Sequence, residues 1–383
     1  MDNVASSEPV LDTARQAQAR SYARTRRYLS LLDYLLGGFL LVVLLASGLS
    51  SHLIDFLALS TVAGALIYFL ILTAAYALIT APLDYYSGLV LPRRYGLSRQ
   101  TAVNWLGDHF KTAGLGLLLG SVIVSLAYCL LSFTPEWWLW GWGVVMLISL
   151  VLSILAPVII LPMFFRTTPL ANGEIKERLE KLAQEAQVKV DGIYSVEFSA
   201  KSTTANAALM GAGATRRILL SDTILGKYTP SEIAVIMAHE MGHQRHRDMP
   251  RLFIFQGLVM LASFFLAALV FKALTEGLGF NGVSDAAALP LLVLVFGLMG
   301  LVVTPLTAFF TRWVESQADL FAINLTGDPA SFISAMARLT DQNLAEGAPP
   351  RWVEIFLDDH PSYRQRVAMA QKFKATQSSA NSS

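Results

Sequence analysis

Two of the six histidines in this 383-residue chain stand one helical turn apart with a glutamate between them: His239-Glu240-Met241-Gly242-His243. Residues four apart on a helix share a face, so both imidazoles can converge on one cation. Glu240, on the same helix, can take a proton from a water molecule that the cation activates for attack on a carbonyl. Two histidines and a glutamate in this order are the ligands and base of a zinc hydrolase. Zinc requires a third protein ligand, and the candidate lies far downstream in Arg312-Trp313-Val314-Glu315-Ser316-Gln317-Ala318-Asp319. Glu315 is the expected ligand. Asp319, one turn later on the same face, can hold the free ring nitrogen of a ligand histidine and fix its tautomer. The expectation is one Zn2+ per chain.

A helix must carry the motif. Thr229-Pro230-Ser231-Glu232 supplies its start: Thr229 as N-cap, Pro230 at the first position, and Glu232 closing a capping box. His246 reads as a helix-surface group, and His52 and His109 as loop residues with no visible partner.

The motif stands just before a long apolar run. Hydrophobic residues make up 54% of the chain and charged residues 15%, with a mean hydropathy of +0.50. Charged residues in soluble domains are nearer a quarter, so this is a membrane-protein composition. Six stretches are long enough to cross about 30 Å of hydrocarbon as helices, near residues 29–50, 57–82, 112–133, 138–165, 252–274 and 287–311. Trp137, Trp138, Trp140 and Trp142 mark one end of the fourth as an interface belt. The N-terminal polar stretch carries Arg15, Arg20, Arg24, Arg26 and Arg27, and the apolar run after it reads as a retained span, with no clear cleavage site and no lipidation box. Lys and Arg gather at the N-terminus, in 83–111, in 166–251 and in the C-terminal segment. The short connections near 51–56, 134–137 and 275–286 carry acids and no Lys or Arg. That pattern puts both termini and the active site on the cytoplasmic side, and compactness favours a bacterial inner membrane over an organelle. A net charge of +1 and the lack of a basic run interleaved with aromatics exclude nucleic acid as a partner. Cys129 is the one cysteine and reads as packing.

The expected architecture is an all-α polytopic membrane protein of about six transmembrane helices with a small α+β zincin-like metalloprotease insert. Residues 1–28 are the cytoplasmic N-terminal segment and 29–165 a membrane domain of four spans. Residues 166–251 are the insert, 252–311 two further spans, 312–373 a C-terminal catalytic segment and 374–383 a disordered tail. Within the insert, Glu174–Gln187 has helical amphipathic spacing. Gly192–Phe198 and Arg217–Leu220 read as strands, and Thr203–Gly213 as an edge strand with a turn. After the last span, Pro329–Leu344 reads as a helix, Pro349-Pro350 as a break, and His360-Pro361 as the start of a final helix.

With HEMGH and the distal Arg312–Asp319 element in place, the chain resembles the integral-membrane zinc metalloproteases of the type 1 CAAX prenyl endopeptidase family. It is similar, more distantly, to the bacterial heat-shock-type membrane zinc proteases. The resemblance runs from about residue 57 to 370. It takes in Asp84–Ser87 through Tyr95–Ser98, Asp108–Lys111, Ala156-Pro157 through Thr168–Leu170, Thr204–Ala207, Arg217–Thr223, and His360-Pro361 with Arg366. It implies that His239, His243 and Glu315 bind zinc and that Glu240 is the general base. Asp319 occupies the place sometimes labelled proton donor, where an orienting carboxylate is the better physical reading. Asn206 matches a residue beside the substrate backbone, where a peptide can add to the sheet edge. His360 and Arg366 match groups that stabilise an oxyanion and hold the substrate. The family's eukaryotic members have seven spans, one more than here.

The implied reaction is hydrolysis of a peptide bond in an extended peptide or protein, with a prenylated substrate cut after its lipidated cysteine near a C-terminus. Two alternatives remain open at this point: quality-control cleavage of misfolded membrane proteins, and a non-catalytic membrane scaffold. The scaffold fits poorly, because Glu240 and a third ligand are both retained.

Overall fold

The computed structural model describes residues 10–211 and 216–380. Part of the expected turn near Gly213 lies outside them, as do the last three residues of the chain. Among the described residues six helices are long and apolar enough to cross a membrane: Thr13–Ala46, Thr61–Arg94, Ala102–Phe133, Trp137–Phe164, Asp248–Gly277 and Ala286–Thr326. The chain is a multi-pass membrane protein with a small mixed sheet set among soluble helices.

The first four spans contain α1 (Thr13–Ala46), α3 (Thr61–Tyr85) with α4 (Leu91–Arg94), α5 (Ala102–Phe133), and α6 (Trp137–Leu155) with α7 (Leu161–Phe164); a short α2 (Leu49–Leu57) links the first two. Single π turns at Tyr86–Val90 and Ala156–Ile160 join α3 to α4 and α6 to α7. The stretch 83–111, expected as a loop, is therefore mostly helical. His52 lies in α2 and His109 in α5, stacked on Trp105 with ring centroids 4.9 Å apart. Both differ from the loop positions expected for them: the connection after the first span forms a short helix of its own, and the third span's helix begins well before its apolar core.

The insert holds β1 (Thr167–Pro169), α8 (Glu174–Glu185), β2 (Gly192–Val196), β3 (Ala207–Met210), β4 (Arg217–Ser221) and α9 (Pro230–His246). The strands lie in the order β1-β2-β4-β3. β2 and β4 are parallel, with Gly192 opposite Arg217. β3 runs antiparallel to β4, with Ala207 opposite Leu220, and forms one edge. β1, three residues long, closes the other edge against β2.

The fifth span is α10 (Asp248–Gly277). The sixth enters through a 3₁₀ turn at Ala286–Ala288 and becomes α11 (Leu289–Thr326), which continues 15 residues past the expected end of the apolar run at 311. Then follow α12 (Pro329–Gln342), α13 (Arg351–Phe356) and α14 (Tyr363–Ala380). His360 and Pro361 precede α14 rather than starting it. Ser362 stands at its entry, its N–H donating to Gln365 Oε1 at 3.0 Å while its carbonyl accepts from Arg366 N–H at 3.1 Å. α14 also runs through 374–380, where composition suggested a disordered tail. Thr376 and Ser379 turn their hydroxyls back onto the helix carbonyls of Lys372 and Thr376, so these polar residues stay compatible with helix.

Two cores result. One gathers α8, α9, the sheet, the end of α11, α12 and α14 around Ile218, Met237, Ala322 and Phe332. The other lies among the spans, around Tyr68, Tyr128, Phe271 and Leu292. The two ends of the chain meet on one side. Gln16 donates to Asp341 Oδ1 at 2.8 Å and accepts from Gly347 N–H at 2.9 Å, and Arg27 pairs with Glu346.

Candidate active site

α9 begins as its sequence demands. Thr229 Oγ1 accepts from Glu232 N–H at 3.2 Å, and Glu232 Oε2 accepts from Thr229 N–H at 2.8 Å. The run Ile233–Ala238 in α9 is apolar all round, and the helix is buried from Glu232 through His239, as a segment enclosed by protein must be. It packs along α11, and Gly242 is the reason the two can come so close. A Cβ there would stand 3.2 Å from Ala318 Cα and 3.2 Å from the Phe321 ring. The glycine inside the motif thus lets the histidines reach the carboxylates of α11.

Three expected ligands converge. His239 Nε2 lies 3.2 Å from Glu315 Oε2, and His243 Nε2 lies 3.4 Å from Glu315 Oε1. The two Nε2 atoms are 3.2 Å apart, with the rings nearly perpendicular. Both Nδ1 atoms face carboxylates, Asp319 Oδ1 at 2.9 Å for His239 and Asp248 Oδ2 at 3.0 Å for His243. A carboxylate accepts, so each Nδ1 carries the proton and each Nε2 presents its lone pair. Two lone pairs at 3.2 Å repel unless a proton or a metal cation lies between them. Three donors each about 2.0–2.1 Å from one tetrahedral ion would stand about 3.3 Å apart, which is the spacing observed. The donor set therefore fits a divalent metal, and His239, His243 and Glu315 are the residues that could hold it.

The electrostatics point the same way. Burial disfavours charge on His239, yet its hydrogen bonds to Asp319 and Glu315 outweigh that and push its pKa up to about 10, so that without a metal a second proton would sit on Nε2 in the metal's place. The pocket thus favours positive charge at this place, as a metal site must. Glu240 is half-buried. Desolvation raises its pKa, against the pull of His239 and His243, which is the tuning a general base needs to be able to receive a proton.

The remaining expected residues divide. His360 joins the site: its Nε2 lies 3.4 Å from Glu315 Oε2 and its Nδ1 2.7 Å from Asp359 Oδ1. The hydrogen bond to Asp359 raises its pKa, against burial and with help from Glu315. Arg366 stands behind the carboxylates. Its Nη2 is 3.5 Å from Glu315 Oε2 and its Nε 3.3 Å from Asp319 Oδ2. That is a contact with the ligand set, where the resemblance implied a contact with substrate. Asn206 is exposed, one residue before the edge strand β3. Its N–H donates to Ser221 Oγ at 3.0 Å and its carbonyl accepts from Ser221 N–H at 2.9 Å, so its backbone is tied to β4. His246 differs from its expected surface position: it is half-buried, edge-on to Phe321 at 5.5 Å, because the close α9–α11 packing reaches the last turn of α9. Asp248 had no expected role, although its place five residues after His243 was a usable signal.

Comparison with known proteins bears on these features. Residues 169–374 match the model of peptidase family M48, and residues 5–166 match that of the CAAX prenyl protease N-terminal domain, described as five membrane helices. The described residues place four spans in that stretch. The chain belongs to peptidase family M48 and is an integral-membrane metalloendopeptidase. It is 33% identical over 368 residues to YhfN of Bacillus subtilis, an uncharacterized metalloprotease, covering 93% of this chain and 85% of that one. CAAX prenyl protease 1 of Saccharomyces cerevisiae is 28% identical over 336 residues, covering 82% and 73%. The crystal structure of S. mikatae Ste24p shares the fold, with a TM-score of 0.83, 22% identity, and coverage of 97% of this chain and 91% of that chain.

Proposed function

We propose that the chain is a zinc endopeptidase that cleaves an extended peptide, with prenylated C-terminal segments as its substrate class. The observation that carries this reading is the 3.2–3.4 Å triangle of His239 Nε2, His243 Nε2 and Glu315. Two imidazoles and one carboxylate are a zinc donor set. When bound, the ion supplies Lewis acidity, making water nucleophilic near neutral pH and polarising a carbonyl. Glu240 takes the proton from the attacking water and passes it to the leaving amine. Asp319 keeps the Nδ1 proton on His239. His360, carrying a proton held by Asp359, donates to the oxygen that gains negative charge. Arg366 neutralises Glu315 and Asp319 from behind, which keeps two buried carboxylates tolerable side by side. A substrate strand adds beside β3 near Asn206, using backbone groups of the open edge.

The prenyl preference is supported by relatives that are prenyl proteases by name. Both termini on one side is supported by six spans and by the contact of Gln16 with Asp341 and Gly347. The clustering of Lys and Arg makes that side the cytoplasm. The membrane we propose is a bacterial cytoplasmic (inner) membrane, and the Bacillus relative supports the bacterial half of that reading.

The test is cleavage of matched peptides, with and without a farnesyl group on the cysteine, by detergent-purified protein. The farnesylated peptide is expected to be cut, the reaction to stop with chelator and to return with zinc. Glu240→Gln should retain zinc and lose roughly 10²–10⁴-fold in rate. Full activity in that variant removes Glu240 from the role of base. Equal cleavage of both peptides removes the prenyl preference and favours broad quality-control proteolysis.

A further inference from the structure

The two ligand histidines are supported in the same way from different membrane helices. His239 Nδ1 meets Asp319 Oδ1 at 2.9 Å, and Asp319 Oδ2 lies 3.3 Å from Arg366 Nε. His243 Nδ1 meets Asp248 Oδ2 at 3.0 Å, and Asp248 Oδ1 lies 3.4 Å from Arg251 Nη1. Each chain of contacts runs from imidazole to buried carboxylate to guanidinium. Asp319 is 0% exposed and Asp248 2%. Asp319 belongs to the end of the sixth span, whereas Asp248 is the first residue of the fifth.

Asp248 reaches His243 only because the helix breaks. On an unbroken helix a residue five positions on is rotated by about 140°, away from the metal-facing side. Arg247 takes φ 57 in the left-handed region, ending α9 and starting α10. A non-glycine residue held there costs about 1–2 kcal/mol, so the surrounding structure must sustain it. The hydrogen bond of Asp248 to His243 spans that break.

We infer that Asp248 is a positioning residue for the metal centre: it accepts the Nδ1 proton of His243, fixes the tautomer that turns Nε2 inward, and does so from the first residue of the fifth span. The inference rests on the reading of His239, His243 and Glu315 as the metal ligands. Its consequence is that the grip on the metal depends on how α10 is seated against α9. Each ligand histidine is thereby referenced to a different membrane-spanning helix.

The test is zinc affinity, measured by chelator competition on detergent-purified full-length protein, with thermal unfolding of the chelator-treated protein as a fold control. Outer carboxylate partners of ligand histidines are worth roughly 10–100-fold in metal affinity. Asp248→Ala is expected to lose that much while its metal-free unfolding temperature stays near that of the unaltered protein. Asp248→Asn keeps an acceptor and the shape but not the charge, and its affinity should fall between the two. Zinc affinity of Asp248→Ala within about twofold of the unaltered protein overturns the inference. If Asp248→Ala does not fold, Asp248→Asn decides, and an unchanged affinity overturns it equally. Glu315→Ala in the same assay separates the two levels. Zinc loss there with zinc retention in the Asp248 variants rejects only the positioning role, whereas zinc retention in all of them rejects the assigned centre.

Discussion

The helix that carries the histidines and the helices that cross the bilayer both depend on apolar side chains, yet they turn them in opposite directions. α9 buries ten of its 17 residues within the protein. α6, at 19 residues, buries only Trp137 and turns Leu147, Leu150, Val151 and Ile154 outward. The first is a core helix of a soluble fold, stabilised by contact with α8, α11 and α12. The second is made for a solvent of hydrocarbon, where every backbone group must bond within the helix and side chains need no protein partner. α11 belongs to both worlds. Its first half lies among the spans, and its last turns bring Glu315 and Asp319 against α9.

The largest effect should come where the two regions join. Glu315→Ala removes the proposed third ligand from the end of a membrane-spanning helix. Its metal content after purification is expected to fall toward zero and cleavage with it, by more than the roughly 10–100-fold typical of an outer partner. An unchanged metal stoichiometry would mean that the end of α11 is only packing against the insert, and the third ligand would have to be sought elsewhere.

A pair of truncations tests the comparison more directly. Met237 in α9 is fully buried, and Leu147 in α6 is 61% exposed. Met237→Ala should cost about 2–5 kcal/mol through lost contacts and a cavity. Leu147→Ala should stay within about 0.5 kcal/mol. The readout is unfolding in the same detergent or bicelle. Similar losses at both positions would show that α6 has a protein partner on its outward face.

What could be read in advance follows the same division. Periodicity and hydropathy are local properties, so the six spans, the amphipathic α8 and the capping box at Thr229 could all be recognised before any fold was known. HEMGH is local too, since helical spacing alone puts His239 and His243 on one face. The partners that arrive through tertiary packing were harder. Asp248 would lie on the wrong side of a continuous helix, and only the left-handed Arg247 brings it round. Arg366 carries no local mark of its pairing with Glu315 and Asp319. β1, at three residues, is too short to show alternation, and the helical turns at 374–380 are built from residues whose composition resembles that of a tail.

The smallest predicted effect asks whether the insert behaves as one unit. Thr229 caps α9 through a single side-chain hydrogen bond to Glu232 N–H, so Thr229→Ala should destabilise the protein by about 1 kcal/mol. Glu232 would remain anchored, because its Oε1 also accepts from Ser334 Oγ at 2.5 Å and pairs with Arg338 Nε at 3.0 Å, which ties α9 to α12. The cap lies more than two turns before His239, and the intervening helix is buried. Zinc affinity of Thr229→Ala should therefore match the unaltered protein even as its unfolding temperature falls. A loss of affinity accompanying the loss of the cap would mean that fraying at the start of α9 reaches the histidines. The metal would then be reporting the stability of the whole insert, and the two spans that support the histidines would hold them less firmly than their buried carboxylates imply.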